Sequence, residues 1–500
     1  MRQNNGVPEM GLRIFLSEGG KTMQQKKLGL FSAISINVGL IVATSCLVSL
    51  GTGMGSIGRW FIIPLFLVVI LNSFIGLSFA ELNQLMPEVD GGTGQYLLAG
   101  MGPMASMMGN LSAYVITQIL SLTAEITLCG TVIKQLFFPN VDNRIISLIL
   151  LVAFLFVNMK GVELFAKVQD LVVILLVGSM VLLGFISFFK LGDPSHLIDY
   201  KESAPTFKQI GGVKGIIDNM ALAFWLFIGV EFIIPQAKNL KNPKRDVLLS
   251  MILALLLLFG VQAFLGTGMT NYVSLKGLAN DPDSTPHITF AINLLGTPGK
   301  IWMGVITILA GISTVNTGYA SLSKIMQGMA EAGMVPKAFA KTNKNNSAYV
   351  GLLFLSVAVG IMVVSGLGSA SAVTFLILSG SCFWLFTYCL VHISVLVLRK
   401  RYPDRPRKFT MKGIPQIIGI IGNVYMIANI STGADRIKIY ELCGILFSVL
   451  VTYCAIWIKF VMKVKPFAPM DMDEVNREAL NYEKDELTVS VNMPAGVARQ

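Results

Sequence analysis

The sequence predicts an all-α integral membrane protein of about twelve transmembrane helices. Of its 500 residues, 54% are hydrophobic and only 13% are charged, and the mean hydropathy is +0.68. Apolar segments of about 20 residues, the length that crosses a bilayer, follow one another almost without interruption. An ordinary water-soluble domain carries about 25% charged residues. A soluble protein is therefore excluded, and the lipid bilayer is the expected surrounding.

The predicted spans leave no room for a soluble domain between them. We expect a cytoplasmic N-terminal segment at 1–28, a transmembrane domain at 29–465 and a cytoplasmic C-terminal tail at 466–500. The twelve spans are centred within 31–57, 61–80, 105–137, 144–160, 169–190, 213–236, 247–269, 300–325, 349–366, 372–398, 414–432 and 440–462.

The distribution of Lys and Arg predicts the orientation. On the side that carries the N-terminus lie 28 of the 39 basic residues, which leaves 11 for the other side. Cytoplasmic loops carry the excess of Lys and Arg, so both termini are expected in the cytoplasm of a multi-pass plasma (inner) membrane protein. The net charge of +11 follows from this topology, and no nucleic-acid partner is expected.

The first span contains a segment suited to a helix break. Residues 39–51 begin and end with glycine and hold Thr44 and Ser45. Non-helical backbone at membrane depth is tolerated where it lines a cavity, and a half-helix beginning here offers N–H donors to an anionic group such as a carboxylate. Ordinary packing of small residues between helices is the alternative.

The sixth span contains a second such segment, Phe224–Phe232. Gly229 permits a bend, and Pro235 beyond it lacks an amide donor. Trp225 is an aromatic candidate for capping a small ligand. Glu231 is a carboxylate at membrane depth, where charge is costly and usually functional. It favours proton coupling or the sensing of a cation, with a structural hydrogen bond as the alternative.

The two breaks lie five spans apart, the spacing that a five-plus-five inverted repeat produces, with the site at the repeat interface. Glu125 in the third span is a second carboxylate at depth, either a partner of a cationic substrate, a proton site or a neutral acid hydrogen-bonded for structure. Asn316 in the eighth span is a candidate for lining the same cavity or for joining helices. Trp384 and Tyr388 are assigned to packing.

Several stretches together resemble the amino acid–polyamine–organocation transporters. Trp225–Glu231 followed by Lys241–Arg245 is similar to the sixth span of the arginine/agmatine and related amine antiporters. The connection between the second and third spans and the end of the eighth span also resemble the family, over Ala80–Glu88, Gly102–Pro103 and Lys324–Pro336. The resemblance covers roughly residues 29–465.

The resemblance implies a leucine-transporter-type fold, with two inverted five-helix repeats and two peripheral helices that work by alternating access. It implies that backbone amides of the first span hold a substrate carboxylate and that the sixth span supplies a gating aromatic, a bend and a glutamate that reads protons or substrate charge. The residues that match these roles are Ala43, Thr44 and Ser45 for the amides, Trp225 for the gate, Ile228 and Gly229 for the bend, and Glu231.

Two departures from the family pattern bear on substrate and coupling. Ala43-Thr44-Ser45 stands where the family usually has glycine-serine-glycine, and these side chains narrow the approach to the amides. Leu176 stands in the fifth span where many members have a lysine. Ser313 and Thr314 resemble the hydroxyl pair that binds sodium in sodium-coupled relatives, and helix packing is the alternative role. Coupling to Na⁺ or to H⁺ is thus open.

We therefore expect a secondary active transporter, a permease or an antiporter, that moves an amino acid or a related amine and is driven by an ion gradient or by substrate exchange. No GxxxxGK[ST] loop for ATP is present. The three histidines lie far apart and the six cysteines form no CxxC pair, so we expect no catalytic residues, no metal site and no cofactor. The alternatives are an ion channel or a membrane protein without transport activity.

Overall fold

The computed structural model describes residues 27–89, 93–160, 164–281, 285–345, 347–367, 369, 372–407, 411–431 and 433–478, together with two short strands. The strands, β1 (Phe15–Leu16) and β2 (Thr22–Met23), pair antiparallel. A single β-bridge joins Leu28 to Leu240. The remaining regular structure of the described residues is helical, as the sequence predicts.

The first half of the chain forms eight α-helices. They are α1 (Leu30–Ile41), α2 (Thr44–Ile57), α3 (Ile62–Leu85), α4 (Thr93–Met101), α5 (Pro103–Leu111), α6 (Thr117–Phe137), α7 (Asn143–Met159) and α8 (Leu164–Phe188). A π-helical turn at Ser112–Ile116 connects α5 and α6 into one long third span.

The second half begins with the polar connection that follows α8 and continues through the remaining spans. Its α-helices are α9 (Tyr200–Ser203), α10 (Val213–Asp218), α11 (Met220–Trp225), α12 (Pro243–Met269), α13 (Leu275–Ala279), α14 (Pro286–Leu295), α15 (Thr297–Glu331), α16 (Tyr349–Met362), α17 (Val373–Arg401), α18 (Ile414–Ala428) and α19 (Gly433–Trp457). A 3-10 helix, Val230–Asn239, follows α11.

The helices account for the twelve predicted spans. Ten stretches of the described residues are long and apolar enough to cross a membrane. One of them, Thr44–Leu85, contains both α2 and α3, and α2 forms the first span together with α1. The apolar α7 adds 17 residues, which is the lower end of the range of lengths that cross a bilayer. Large apolar side chains point outward from the bundle, such as Ile149 and Phe156 on α7, which are 64% and 63% exposed. Lipid covers such a surface in a membrane protein.

Both ends of the described chain lie on one face of the bundle, which we call the termini face. Leu28 O accepts a hydrogen bond from Lys241 N at 2.9 Å, so the start of α1 lies beside the end of the sixth span. On the same face, Lys238 Nζ lies 3.6 Å from Glu88 Oε2. An even number of spans produces this arrangement.

The segment after α19 packs back onto the termini face. Pro466 O accepts from Met104 N at 2.9 Å, and Met470 N donates to Leu98 O at 3.2 Å. Asn476 Oδ1 accepts from Glu88 N at 2.9 Å. Residues 463–478, which we call the C-terminal strap, therefore bind the start of the third span and the connection before it.

A buried carboxylate also stabilises the termini face. Glu81, at the end of α3, is 3% exposed. Its Oε1 accepts from Arg399 Nε at 2.9 Å and lies 3.1 Å from Arg407 Nε. A buried carboxylate between two guanidinium groups is compensated in charge and in hydrogen bonds, so Glu81 fastens α3 to the end of α17 and the loop after it.

Candidate functional site

The first span breaks between α1 and α2. Val42 and Ala43 have extended backbone angles, and α2 begins at Thr44, where the N-cap residue Ala43 provides no side-chain hydrogen bond. Gly39 lies within α1 and Gly51 within α2, so the break itself contains no glycine. Thr44 and Ser45 are completely buried. The break predicted from sequence is present, and the first amides of a half-helix are exposed to the interior of the bundle.

Glu125 from α6 lies at this break. Its Oε1 accepts a hydrogen bond from Ser45 N at 2.9 Å, and its side chain is completely buried. Thr44 Oγ1 lies 3.5 Å from Thr307 O of α15. Helices α2, α6 and α15 therefore meet where the first span is unwound. The structure brings Glu125 to the backbone amides that the sequence proposes for a substrate carboxylate.

The sixth span breaks after α11. The α-helix ends at Trp225, and Gly229 has φ 101°, in the left-handed region that favours glycine. The chain continues as the 3-10 helix. Ile228 lies in the turn between them and is half-buried. The bend assigned to Ile228 and Gly229 thus lies at the predicted place.

Two amide side chains bind the carbonyl groups that this break releases. Asn72 Nδ2 of α3 donates to Phe227 O at 2.9 Å, and Gln262 Nε2 of α12 donates to Leu226 O at 3.2 Å. Buried carbonyl groups without a partner are costly, so these two bonds stabilise the unwound conformation. Asn72 and Gln262 were missed from sequence, although isolated amides in apolar helices are a signal for such contacts.

The two breaks contact each other directly. Trp225 Nε1 donates to Ser45 Oγ at 2.9 Å, and Cys46 Sγ lies 3.9 Å from Trp225 O. Trp225 is 6% exposed. The proposed gating aromatic is therefore buried against the first turn that follows the first-span break.

Glu231 has a different environment from Glu125. It lies in the 3-10 helix, is 4% exposed, and its Oε2 accepts from Tyr388 OH of α17 at 2.7 Å. The Phe224 and Trp384 rings pack edge-to-face on Tyr388, with centroids 5.8 and 6.4 Å away. Tyr388 was assigned to packing from sequence, but it also binds the Glu231 carboxylate and links the sixth span to α17.

The candidates on α15 are Ser313, Thr314 and Asn316. Asn316 is 2% exposed, and its Oδ1 accepts from Asn158 Nδ2 of α7 at 2.9 Å. Ser313 is buried and Thr314 is half-buried. A Cβ at Gly311 would meet Cys129 Sγ at 2.2 Å, so glycine allows α15 to approach α6 beside the first-span break. Asn316 makes a contact between helices, which is one of its two predicted roles.

Comparisons with known proteins agree with this architecture. The sequence profile of a family described as "Amino acid permease" matches residues 28–458. The chain is 23% identical to the branched-chain amino acid permease BcaP of Bacillus subtilis (strain 168), over 81% of this chain and 88% of that protein. It is 24% identical to the aspartate-proton symporter of the same organism, over 80% of this chain and 78% of that protein.

A solved structure shows the fold. The manganese transporter of Eremococcus coleocola superposes with a TM-score of 0.56 at 15% identity, covering 85% of this chain and 94% of that chain. This similarity establishes the leucine-transporter-type arrangement that the positions of the two breaks predict. At this level of identity it concerns the fold alone.

Proposed function

Since this chain belongs to the amino acid permease family, we propose that it is a secondary active transporter that moves an amino acid or a related amine by alternating access. The observation that carries the proposal is the contact between the two breaks, where Trp225 Nε1 donates to Ser45 Oγ at 2.9 Å. Unwound backbone and a buried carboxylate meet there, which is the composition of a substrate site at a repeat interface. The substrate-binding set is Ala43, Thr44, Ser45, Glu125, Trp225, Ile228, Gly229, Glu231 and Asn316.

The contacts around the breaks favour a carrier over a channel. A channel needs a continuous polar pathway, whereas here the buried Trp225 indole binds Ser45 at the first-span break and the Glu231–Tyr388 bond crosses from the sixth span to α17. Alternating access requires such contacts to form on one side while they break on the other. We infer that the Glu231–Tyr388 bond breaks when the site opens toward the termini face.

Energy coupling is proposed at two places. Glu231 is the proton-coupling candidate, because its carboxylate lies at membrane depth on the moving sixth span. Ser313 and Thr314 are the sodium-coupling candidates, because hydroxyl and carbonyl oxygens suit a hard cation. Substrate exchange is the third means of driving transport. We place the protein in the plasma (inner) membrane with both termini cytoplasmic, on the distribution of Lys and Arg.

Uptake into proteoliposomes tests the function. The purified protein is reconstituted and supplied with labelled amino acids and amines, and the proton and sodium gradients are imposed separately. We expect saturable uptake of at least one compound, accelerated by one gradient or by a substrate inside the vesicle. Ungated ion conductance without saturable uptake would favour a channel and would refute the proposal.

Two tryptophans provide a matched test of the site. Trp225→Phe and Trp302→Phe each remove an indole N–H that donates to a serine hydroxyl, Ser45 Oγ at 2.9 Å and Ser179 Oγ at 3.1 Å. A buried hydrogen bond contributes about 1 kcal/mol, or roughly fivefold in an equilibrium. We expect Trp225→Phe to change the KM for uptake by about that factor and Trp302→Phe to leave it unchanged. Equal effects would contradict the location of the site.

A further inference from the structure

The start of α2 is an anion site that the protein itself fills. The helix has 14 residues, and Ala43 at its N-cap provides no side-chain hydrogen bond. Such a helix start attracts an anion through its free N–H groups and the helix dipole. The group bound here is the Glu125 carboxyl, whose Oε1 accepts from Ser45 N at 2.9 Å although the two residues are 80 positions apart in sequence. One of the backbone donors that would receive a substrate carboxylate, Ser45 N, is therefore occupied.

The second oxygen of Glu125 points to a ligand. Oε2 is buried and has no hydrogen-bond partner of acceptable geometry among the described residues. The titratable neighbours of Glu125 are Cys46 and Cys129, and neither is basic. In the described part of the chain no Lys or Arg forms an ion pair with Glu125. The Thr44 and Ser45 hydroxyls also interact with the carboxyl group, and a buried oxygen without a well-aligned donor is stabilised by a cation or a hydrogen-bond donor from a ligand.

We propose that the substrate of this site is an organic amine without a carboxylate, whose ammonium group binds Glu125. This inference rests on the proposed transport function and specifies its substrate class. A substrate carboxylate would have to displace Glu125 from Ser45 N or lie beside it, and two like charges in one buried site repel each other. An ammonium group instead compensates the negative charge of Glu125 and leaves the hydrogen bond to Ser45 N intact. The Ala43 and Ser45 side chains, which stand where the family usually has glycine, also narrow the approach of a second carboxylate to the amides.

Pairs of compounds that differ by one carboxylate test the proposal. Leucine with isoamylamine, lysine with cadaverine, and arginine with agmatine are each an amino acid and its decarboxylated amine. Binding to the purified full-length protein is measured by isothermal titration calorimetry, and transport by counterflow in proteoliposomes. For at least one pair we expect the amine to bind at least tenfold more tightly than its parent amino acid.

Three variants separate the charge of Glu125 from its hydrogen bond. Glu125→Gln retains an acceptor for Ser45 N and removes the charge, so we expect amine affinity to fall at least tenfold. Glu125→Ala empties the amides, so we expect the amino acid to gain affinity relative to the amine. Thr127→Val is the control, because Thr127 is completely buried on the same helix and its substitution should leave both affinities within twofold.

The outcomes distinguish the inference from the function on which it rests. If the wild-type protein binds or transports the amino acid at least as well as the matched amine in every pair that it recognises, the inference is overturned and the transport function stays supported. Amine affinity that is unchanged in Glu125→Gln, in a sample as monodisperse and thermally stable as Thr127→Val, also overturns it. Absence of binding and transport for every pair in the wild type refutes the transport function itself. The wild-type comparison requires no variant, so it stands even where a substitution prevents folding.

Discussion

Removal of the Tyr388 hydroxyl tests whether the contact between the sixth span and α17 keeps the site closed. Tyr388 OH donates to Glu231 Oε2 over 2.7 Å, and the two residues are 1% and 4% exposed. A buried hydrogen bond contributes about 1–3 kcal/mol, with the larger values when its acceptor is ionised. Because the bond joins two elements that separate when the site opens, Tyr388→Phe should destabilise the closed state by about 2 kcal/mol. Every 1.4 kcal/mol is a factor of ten, so the open state should become about 30-fold more populated.

The native Cys46 reports this opening, so no engineered cysteine is needed. It lies in the first turn after the first-span break, is 2% exposed, and its Sγ is 3.9 Å from Trp225 O. Modification by N-ethylmaleimide in nanodiscs, followed by peptide mass spectrometry, gives its rate separately from the other cysteines. The rate should rise about 30-fold in Tyr388→Phe, since a buried thiol reacts only from the open population. Cys454 on α19 is completely buried and serves as an internal reference.

A second tyrosine provides the matched control. Tyr453 OH donates to Met334 O at 3.3 Å, a bond at the peripheral α19 that is remote from both breaks. Tyr453→Phe should leave the modification rate of Cys46 within about twofold of the wild-type rate, because the bond that it removes is weak and far from both breaks. An unchanged Cys46 rate in Tyr388→Phe would refute the assignment of this bond to closure. An equal rise at Cys454 would show general loosening and would refute it too.

Three further predictions concern buried polar groups. Asn72→Leu removes the donor to Phe227 O, so it should lower the stability by about 1–3 kcal/mol and also weaken substrate binding. Asn293→Leu removes an equivalent bond to Tyr272 O at 2.8 Å and should lower the Tm alone. Scanning fluorimetry and the KM for uptake distinguish the two variants, and equal KM values would contradict the role of Asn72. Burial lowers the pKa of His287 on α14 from 6.5 to about 4, so the native packing of α14 is fully stable above pH 6.5 and loses about 2 kcal/mol by pH 5. Hydrogen exchange of α14 should therefore accelerate as the pH falls over that range, and His287→Leu should abolish the pH dependence. Glu81→Gln withdraws a buried charge from its arginine partners and should cost about 3–5 kcal/mol, measured as Tm; a change within 1 °C would contradict the burial argument.

The sequence predicted the spans and the positions of both breaks because these depend on local composition. Hydropathy over about 20 residues identifies a span, and Gly229 marks the one place in the sixth span where a left-handed residue is needed. The first-span break was predicted from glycines and hydroxyl residues, but it falls at Val42 and Ala43, between the glycines. Tertiary contacts, here from Glu125 and Thr307, determine which residue of a permissive segment unwinds.

The hydrogen-bond partners of the buried carboxylates could not be predicted from the sequence. Glu125 binds an amide 80 positions away, and Glu231 binds a hydroxyl 157 positions away. Hydropathy and periodicity describe neighbours along one helix and carry no information about such pairs. Tyr388 has the composition of an ordinary packing residue, so only its position against Glu231 distinguishes it. The roles of Ser313 and Thr314 in coupling stay predictions for the same reason.

The C-terminal strap has a consequence for anyone who prepares this protein. A truncation placed directly after α19, where hydropathy suggests the ordered protein ends, would remove Met472 and Val475, which are 1% and 2% exposed. It would also uncover Leu98 O and Met104 N, two groups at the start of the third span that the strap binds. An expression tag or a fusion partner therefore belongs after residue 478, where it leaves this packing intact.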